Sequence, residues 1–161
     1  MVRRGSAASS ALYPDGVLRR DDILGTWQLV SWTAQADGEV SHPLGIDPGG
    51  TIVYTADGYM SAQLMRRDRP AYDRPWPTGG TIDQLAAAAV GYLAYSGPFT
   101  LDESTGIVHH HVEVSLVPNW VGETQDRGGN LVGDTLVLSA DTTSRRGVTS
   151  HSTLTWRRAD G

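Results

Sequence analysis

The chain has 161 residues, a net charge of −5, 39% hydrophobic and 19% charged residues, no cysteine, and only arginine among its 13 basic residues. That length describes one domain; the composition excludes disulfides and thiol nucleophiles and a lysine Schiff base, and no apolar run of about 18 residues provides a membrane helix. The acidic balance argues against nucleic acid as a partner, because a nucleic-acid footprint is a basic stripe.

Residues 1–17 read as a flexible tail: Arg3-Arg4 is followed by Gly-Ser-Ala-Ala-Ser-Ser-Ala, which lacks the apolar core of an export signal. The folded domain is expected over 18–161, and a cysteine-free chain fits a reducing cytosol. Leu18 to Asp22 predicts a short helical turn. Gly25 to Gln35 alternates as a strand, with Trp27, Leu29 and Ser31 on one face and Gln28, Val30 and Trp32 on the other. Asp37-Gly38 turns the chain, Glu39 to His42 returns it, and the Pro- and Gly-rich stretch from His42 to Gly50 is a loop.

A hairpin follows. Thr51 to Thr55 runs into an Asp57-Gly58 turn and returns as Tyr59 to Met65, placing Tyr59, Ser61 and Gln63 opposite Met60, Ala62 and Leu64. Arg66 to Gly80 is irregular, either a lid or a plain loop. Thr81 with Gln84 makes a capping box, and Ile82, Leu85, Ala86, Ala89, Val90 and Leu93 recur at helical spacing, so a helix with one buried stripe is expected. Tyr92 and Tyr95 fall at its end, and Gly97-Pro98 stops it. Pro98 to Leu101, Ile107 to Ser115, Trp120 to Asp126, Thr135 to Ser139 and Val148 to Arg157 read as strands, with Gly128-Gly129-Asn130 as a turn. About eight to ten short strands around one amphipathic helix predict an all-β chain, a single antiparallel barrel with the helix covering an end or side. A barrel of that size holds side chains or one small ligand.

The Ile107–Ser115 strand carries His109, His110 and His111 with Glu113. Alternation puts His109, His111, Glu113 and Ser115 on one face and Val108, His110, Val112 and Val114 on the other. If the polar face lines a lumen, His111 and Glu113 form an acid–base pair; if the apolar face does, His110 is the base. A one-residue register shift exchanges the two. His109-x-His111 also matches the spacing of a zinc-binding strand but lacks a third fixed ligand, so no metal is assigned.

Four segments together resemble the bacterial lipocalin-like domain proteins: Leu24-Gly-Thr-Trp-Gln-Leu-Val-Ser31, Tyr54-Thr-Ala-Asp-Gly-Tyr-Met-Ser61, Gly91-Tyr-Leu-Ala-Tyr-Ser-Gly97, and His110-His-Val-Glu113 continuing to Pro118-Asn-Trp-Val121. The resemblance runs from about Leu24 to Arg158, while His109 and the Arg66–Pro77 stretch depart from it. It implies a lipocalin-like β-barrel that binds a small molecule, and some barrels of this kind in natural-product pathways act as cofactor-free cyclases or isomerases.

The candidate catalytic residues are thus His110, His111, Glu113 and Tyr54. Trp32, Tyr59, Gln63, Tyr92, Tyr95, Asn119 and Trp120 are candidates to bind a ring-containing, partly polar ligand, since aromatics give apolar faces with a polar handle. Trp27 is expected to plug the barrel base. The expected activity is a cyclase or isomerase acting without cofactor on a polyketide-like molecule, the alternative a passive carrier. No Gly-x-Ser-x-Gly elbow or phosphate loop is present, and the oligomeric state stays open.

Overall fold

The computed structural model describes residues 17–144 and 146–160, so all but Val17 of the expected tail lies outside the described residues. Its strands are β1 (Gly25–Ala36), β2 (Glu39–Ser41), β3 (Gly49–Tyr54), β4 (Tyr59–Met65), β5 (Tyr92–Asp102), β6 (Ile107–His111), β7 (Val114–Ser115), β8 (Thr124–Val132), β9 (Thr135–Thr143) and β10 (Thr149–Arg158). Helix α1 spans Arg20–Ile23, α2 spans Ile82–Val90, and Pro118–Trp120 forms a 3-10 turn. No helix among the described residues is long and apolar enough to cross a membrane.

Eight strands close a barrel. β1, β3, β4, β5, β6, β8, β9 and β10 each pair antiparallel with the next, and β10 returns to β1. Closure gives each of these eight strands a partner on both sides, and the period-2 alternation then sorts side chains into a wall and an interior. On β4, Met60, Ala62 and Leu64 point inward and are buried, opposite Tyr59, Ser61 and Gln63. Leu136 and Leu138 of β9 and Trp156 of β10 join them inside.

One end of the barrel is sealed. Trp27 is fully buried; its Nε1 donates to the Ile23 carbonyl at 2.8 Å, and the Arg158 guanidinium lies over its ring at 4.1 Å. Arg158 also donates to the carbonyls of Leu24 (2.9 Å) and Asp22 (2.7 Å), so it satisfies the backbone where α1 meets β1. Trp27 is the expected plug, held by a cation above and a carbonyl below.

The folded chain departs from simple pattern reading at several points. On β1 the pairing with β10 runs Leu29↔Trp156, then Ser31↔Thr155 and Trp32↔Leu154, so Val30 is an extra residue. This bulge returns Trp32 to the same side as Trp27 and Leu29 instead of the opposite one. Tyr92 and Tyr95 belong to β5, not to the end of α2, because Gly91 already caps the helix with its N–H on the Ala87 carbonyl at 2.9 Å. Gly97 lies within β5, where any side chain would collide with the His111 carbonyl. Gly128 and Gly129 lie inside β8 rather than in a turn: a Cβ on Gly129 would stand 2.5 Å from Leu18, and one on Gly128 2.9 Å from the Ser139 hydroxyl. Trp120, read as the start of that strand, sits in the 3-10 turn before it.

The α2 stripe is not buried. Ile82 and Val90 are 84% and 83% exposed, and no residue of the helix is buried. Local bonds hold it instead: Thr81 Oγ1 accepts from the Gln84 amide at 3.3 Å, and Gln84 Oε1 accepts from the Thr81 amide at 3.0 Å. Gln84 Nε2 also donates to Asp73 Oδ1 at 3.0 Å, which ties the Arg66–Gly80 loop to the helix.

Candidate ligand cavity

A cavity of about 540 Å³ occupies the barrel interior. Trp32, Leu64, Tyr95, Trp120, Leu138, Leu154 and Trp156 make the apolar part of its wall; Gln125, Arg127 and Ser152 supply polar groups, with Thr124, Asp126, Asp141 and Thr142 also on its border. This volume suits one molecule of a few rings, and a mostly apolar wall with few polar points is the usual form of a small-molecule site.

The register of β6 decides the histidine question. Val108 and His110 are fully buried on the inward face. His109 and His111 face outward, and Glu113 is exposed. His109 Nδ1 bonds Asp126 Oδ1 at 2.6 Å, while His111 bonds Thr100 Oγ1 (3.2 Å) and Thr124 Oγ1 (3.0 Å) across neighbouring strands. The placement of His111 and Glu113 as a lumenal acid–base pair is therefore corrected: Val108 and Val112, apolar β-branched residues on the other face, take the interior. Among the described residues no three His, Asp or Glu side chains gather as a metal-ligand set.

His110 is held at both ring nitrogens. The Tyr54 hydroxyl stands 2.8 Å from Nε2 and the Tyr95 hydroxyl 3.0 Å from Nδ1. Burial lowers the His110 pKa to about 3, helped by the positive charge of Arg127 and then by His111 and His109. The imidazole is thus neutral at pH 7, with one nitrogen donating and one accepting. Burial raises the Tyr54 hydroxyl well above its ordinary range and Tyr95 above it, the latter partly offset by the charge and hydrogen bonding of Arg127. Both phenols stay protonated. Tyr54 packs edge-on to Phe99 (4.8 Å) and Tyr95 edge-on to Trp120 (5.4 Å). Of the three, Tyr95 borders the cavity, whereas His110 and Tyr54 lie behind it.

Four of the seven expected ligand-binding residues border the cavity: Trp32, Tyr92, Tyr95 and Trp120. Three do not. Tyr59 is 49% exposed on the outward face of β4; Gln63, also outward, accepts from the Tyr92 hydroxyl at 2.7 Å on the surface; Asn119 is exposed in the 3-10 turn. Tyr59 and Gln63 are turned away by the same alternation that puts Met60, Ala62 and Leu64 inside. Arg127 and Gln125 enter the wall unannounced by the sequence. Reading Gly128-Gly129 as a turn ends β8 at Asp126 and hides the inward series Gln125, Arg127, Gly129, Leu131.

A family model described as a lipocalin-like domain matches residues 24–159. The chain belongs to the lipocalin-like domain family. It is also similar to a curated protein of Aspergillus oryzae, named as a 4'-hydroxy-3'-methoxypropiophenone carrier protein: 42% identity over 106 residues, which are 62% of this chain and 96% of that protein. No solved structure matches the chain at a significant level.

Proposed function

We propose that this lipocalin-like protein binds one small, ring-containing, partly polar organic molecule inside its barrel and carries it unchanged. The carrying observation is the cavity itself: about 540 Å³, walled by Trp32, Tyr95, Trp120 and Trp156, with polar groups of β8, β9 and β10 on its border. The relative's named cargo is an aryl ketone bearing hydroxyl and methoxyl groups, which is the type of molecule such a wall suits. The absence of cysteine and the acidic balance support a cytoplasmic protein that takes a small molecule rather than nucleic acid.

A second reading, a cofactor-free cyclase or isomerase acting on a polyketide-like intermediate, is favoured by one observation. The Tyr95 hydroxyl borders the cavity with a buried imidazole behind it and Arg127 beside it. Such a phenol can polarise a carbonyl or pass a proton. Against it, a histidine whose pKa lies near 3 is a poor base at pH 7, and both its nitrogens are already occupied.

One experiment separates the two. The protein is titrated with 4'-hydroxy-3'-methoxypropiophenone by calorimetry, then incubated with the extract of a host strain lacking the gene and resolved by chromatography and mass spectrometry. Saturable binding, with every retained species recovered unchanged, supports the carrier. A species of unchanged mass but altered retention time supports the cyclase or isomerase. Absence of saturable binding to the ketone and to every extract component refutes both.

A further inference from the structure

We infer that the ligand of this barrel is an organic anion, a ring-bearing molecule whose carboxylate or acidic phenolate oxygen is received by Arg127. The inference rests on reading the cavity as a binding site and specifies the chemistry of its occupant.

Arg127 stands on β8 with its side chain in the cavity wall. One of its terminal nitrogens donates to the Asp126 carbonyl at 2.8 Å; the other makes a long 3.5 Å contact with Gln125 Oε1. The Tyr95 hydroxyl lies beside it as well; a guanidinium carries five N–H donors, so some of them remain unspent. Among the described residues Arg127 forms no ion pair. The two carboxylates bordering the cavity are engaged elsewhere: Asp126 holds His109 and Asp141 holds His151, each at 2.6 Å. A charge withdrawn from water without a counter-ion costs stability, and an anionic ligand offsets that cost.

Gln125 and Ser152 add uncharged polar side chains to the same wall. The unspent donors of the guanidinium call for an occupant that brings acceptors, one of them charged. A planar carboxylate meets a guanidinium through two parallel bonds, which also fixes its orientation.

The test uses two fluorescent probes with one ring system: 1-anilinonaphthalene-8-sulfonate, an anion, and N-phenyl-1-naphthylamine, which lacks the sulfonate. The native chain is expected to bind the anion more tightly. Arg127→Gln is expected to weaken the anion by about 10-fold or more, the usual size of a charge-assisted hydrogen bond, and to leave the neutral probe within about 2-fold; Arg127→Lys restores part of the preference. Equal effects on both probes, or none, overturn the anion assignment and leave the binding reading standing. Binding of neither probe by the native chain overturns both. Should the variants fail to fold, the native chain still decides: benzoate is expected to displace the neutral probe at lower concentration than benzamide, and the reverse order or equal potency overturns the assignment.

Discussion

The Tyr95 hydroxyl stands 3.0 Å from Nδ1 of His110, and through this phenol the buried imidazole meets the cavity. Arg127 lies beside the same hydroxyl. Tyr95→Phe removes the group that meets both Arg127 and Nδ1. We expect it to destabilise the fold by about 1–3 kcal/mol, measured by urea unfolding. Tyr54→Phe is expected to cost a similar amount while leaving ligand affinity within about 2-fold, because Tyr54 lies behind the wall.

His110 makes stability depend on pH in a defined direction. Its folded pKa, about 3, lies below the ordinary histidine value. Below pH 6.5 the unfolded chain takes up a proton that the folded chain refuses, so stability is full above that pH and falls as pH drops toward 3. Between pH 7 and pH 5 the loss from this group is about 2 kcal/mol. His110→Gln is expected to be less stable at pH 7 yet to lose about 2 kcal/mol less over that interval. Parallel slopes for the two proteins would remove His110 as the source.

Filling the cavity should abolish binding without breaking the barrel. Ala140 borders the cavity on β9, paired with Ser152 of β10. Ala140→Trp places an indole where the ligand would lie. We expect at least about a 10-fold loss of affinity for N-phenyl-1-naphthylamine, with an unchanged strand signal in far-ultraviolet circular dichroism and a stability change of no more than about 1–3 kcal/mol. Unaltered affinity would place the probe outside the barrel.

The sealed end should behave in the opposite way. Arg158→Leu removes the cation over Trp27 and two bonds to the carbonyls of Leu24 and Asp22. A cost of about 2–4 kcal/mol is expected, seen as a lower urea midpoint, with ligand affinity within about 2-fold of the native chain. A matching fall in affinity would mean that this end also shapes the site.

The parts of this molecule that show in its sequence are those governed by short-range rules. The Asp57-Gly58 hairpin, the Thr81–Gln84 cap and the alternation in β4 and β10 involve neighbours along the chain, and residue types reveal them. What stays hidden depends on contact across the barrel. Val30 bulges because β10 pairs out of step at that point, and nothing within Gly25–Ala36 announces it. Gly128 and Gly129 resemble a turn until Ser139 and Leu18 are seen to press on them. The inward turn of His110 follows from Val108 and Val112 claiming the interior, a choice two faces of one strand leave open. Arg127 looks like any surface arginine until β8 is traced through those glycines.

The β1–β10 ladder joins residues from opposite ends of the domain, from Trp27↔Arg158 to Gln35↔His151. Every other wall of the barrel zips between successive strands. During synthesis the meander therefore grows as an open ribbon with two bare rims, and β10 is the strand that makes it a vessel. Until Trp156 and Arg158 arrive there is neither floor nor stopper. A ligand can be enclosed only once β10 has joined β1, and until then both rims stay exposed to neighbouring chains.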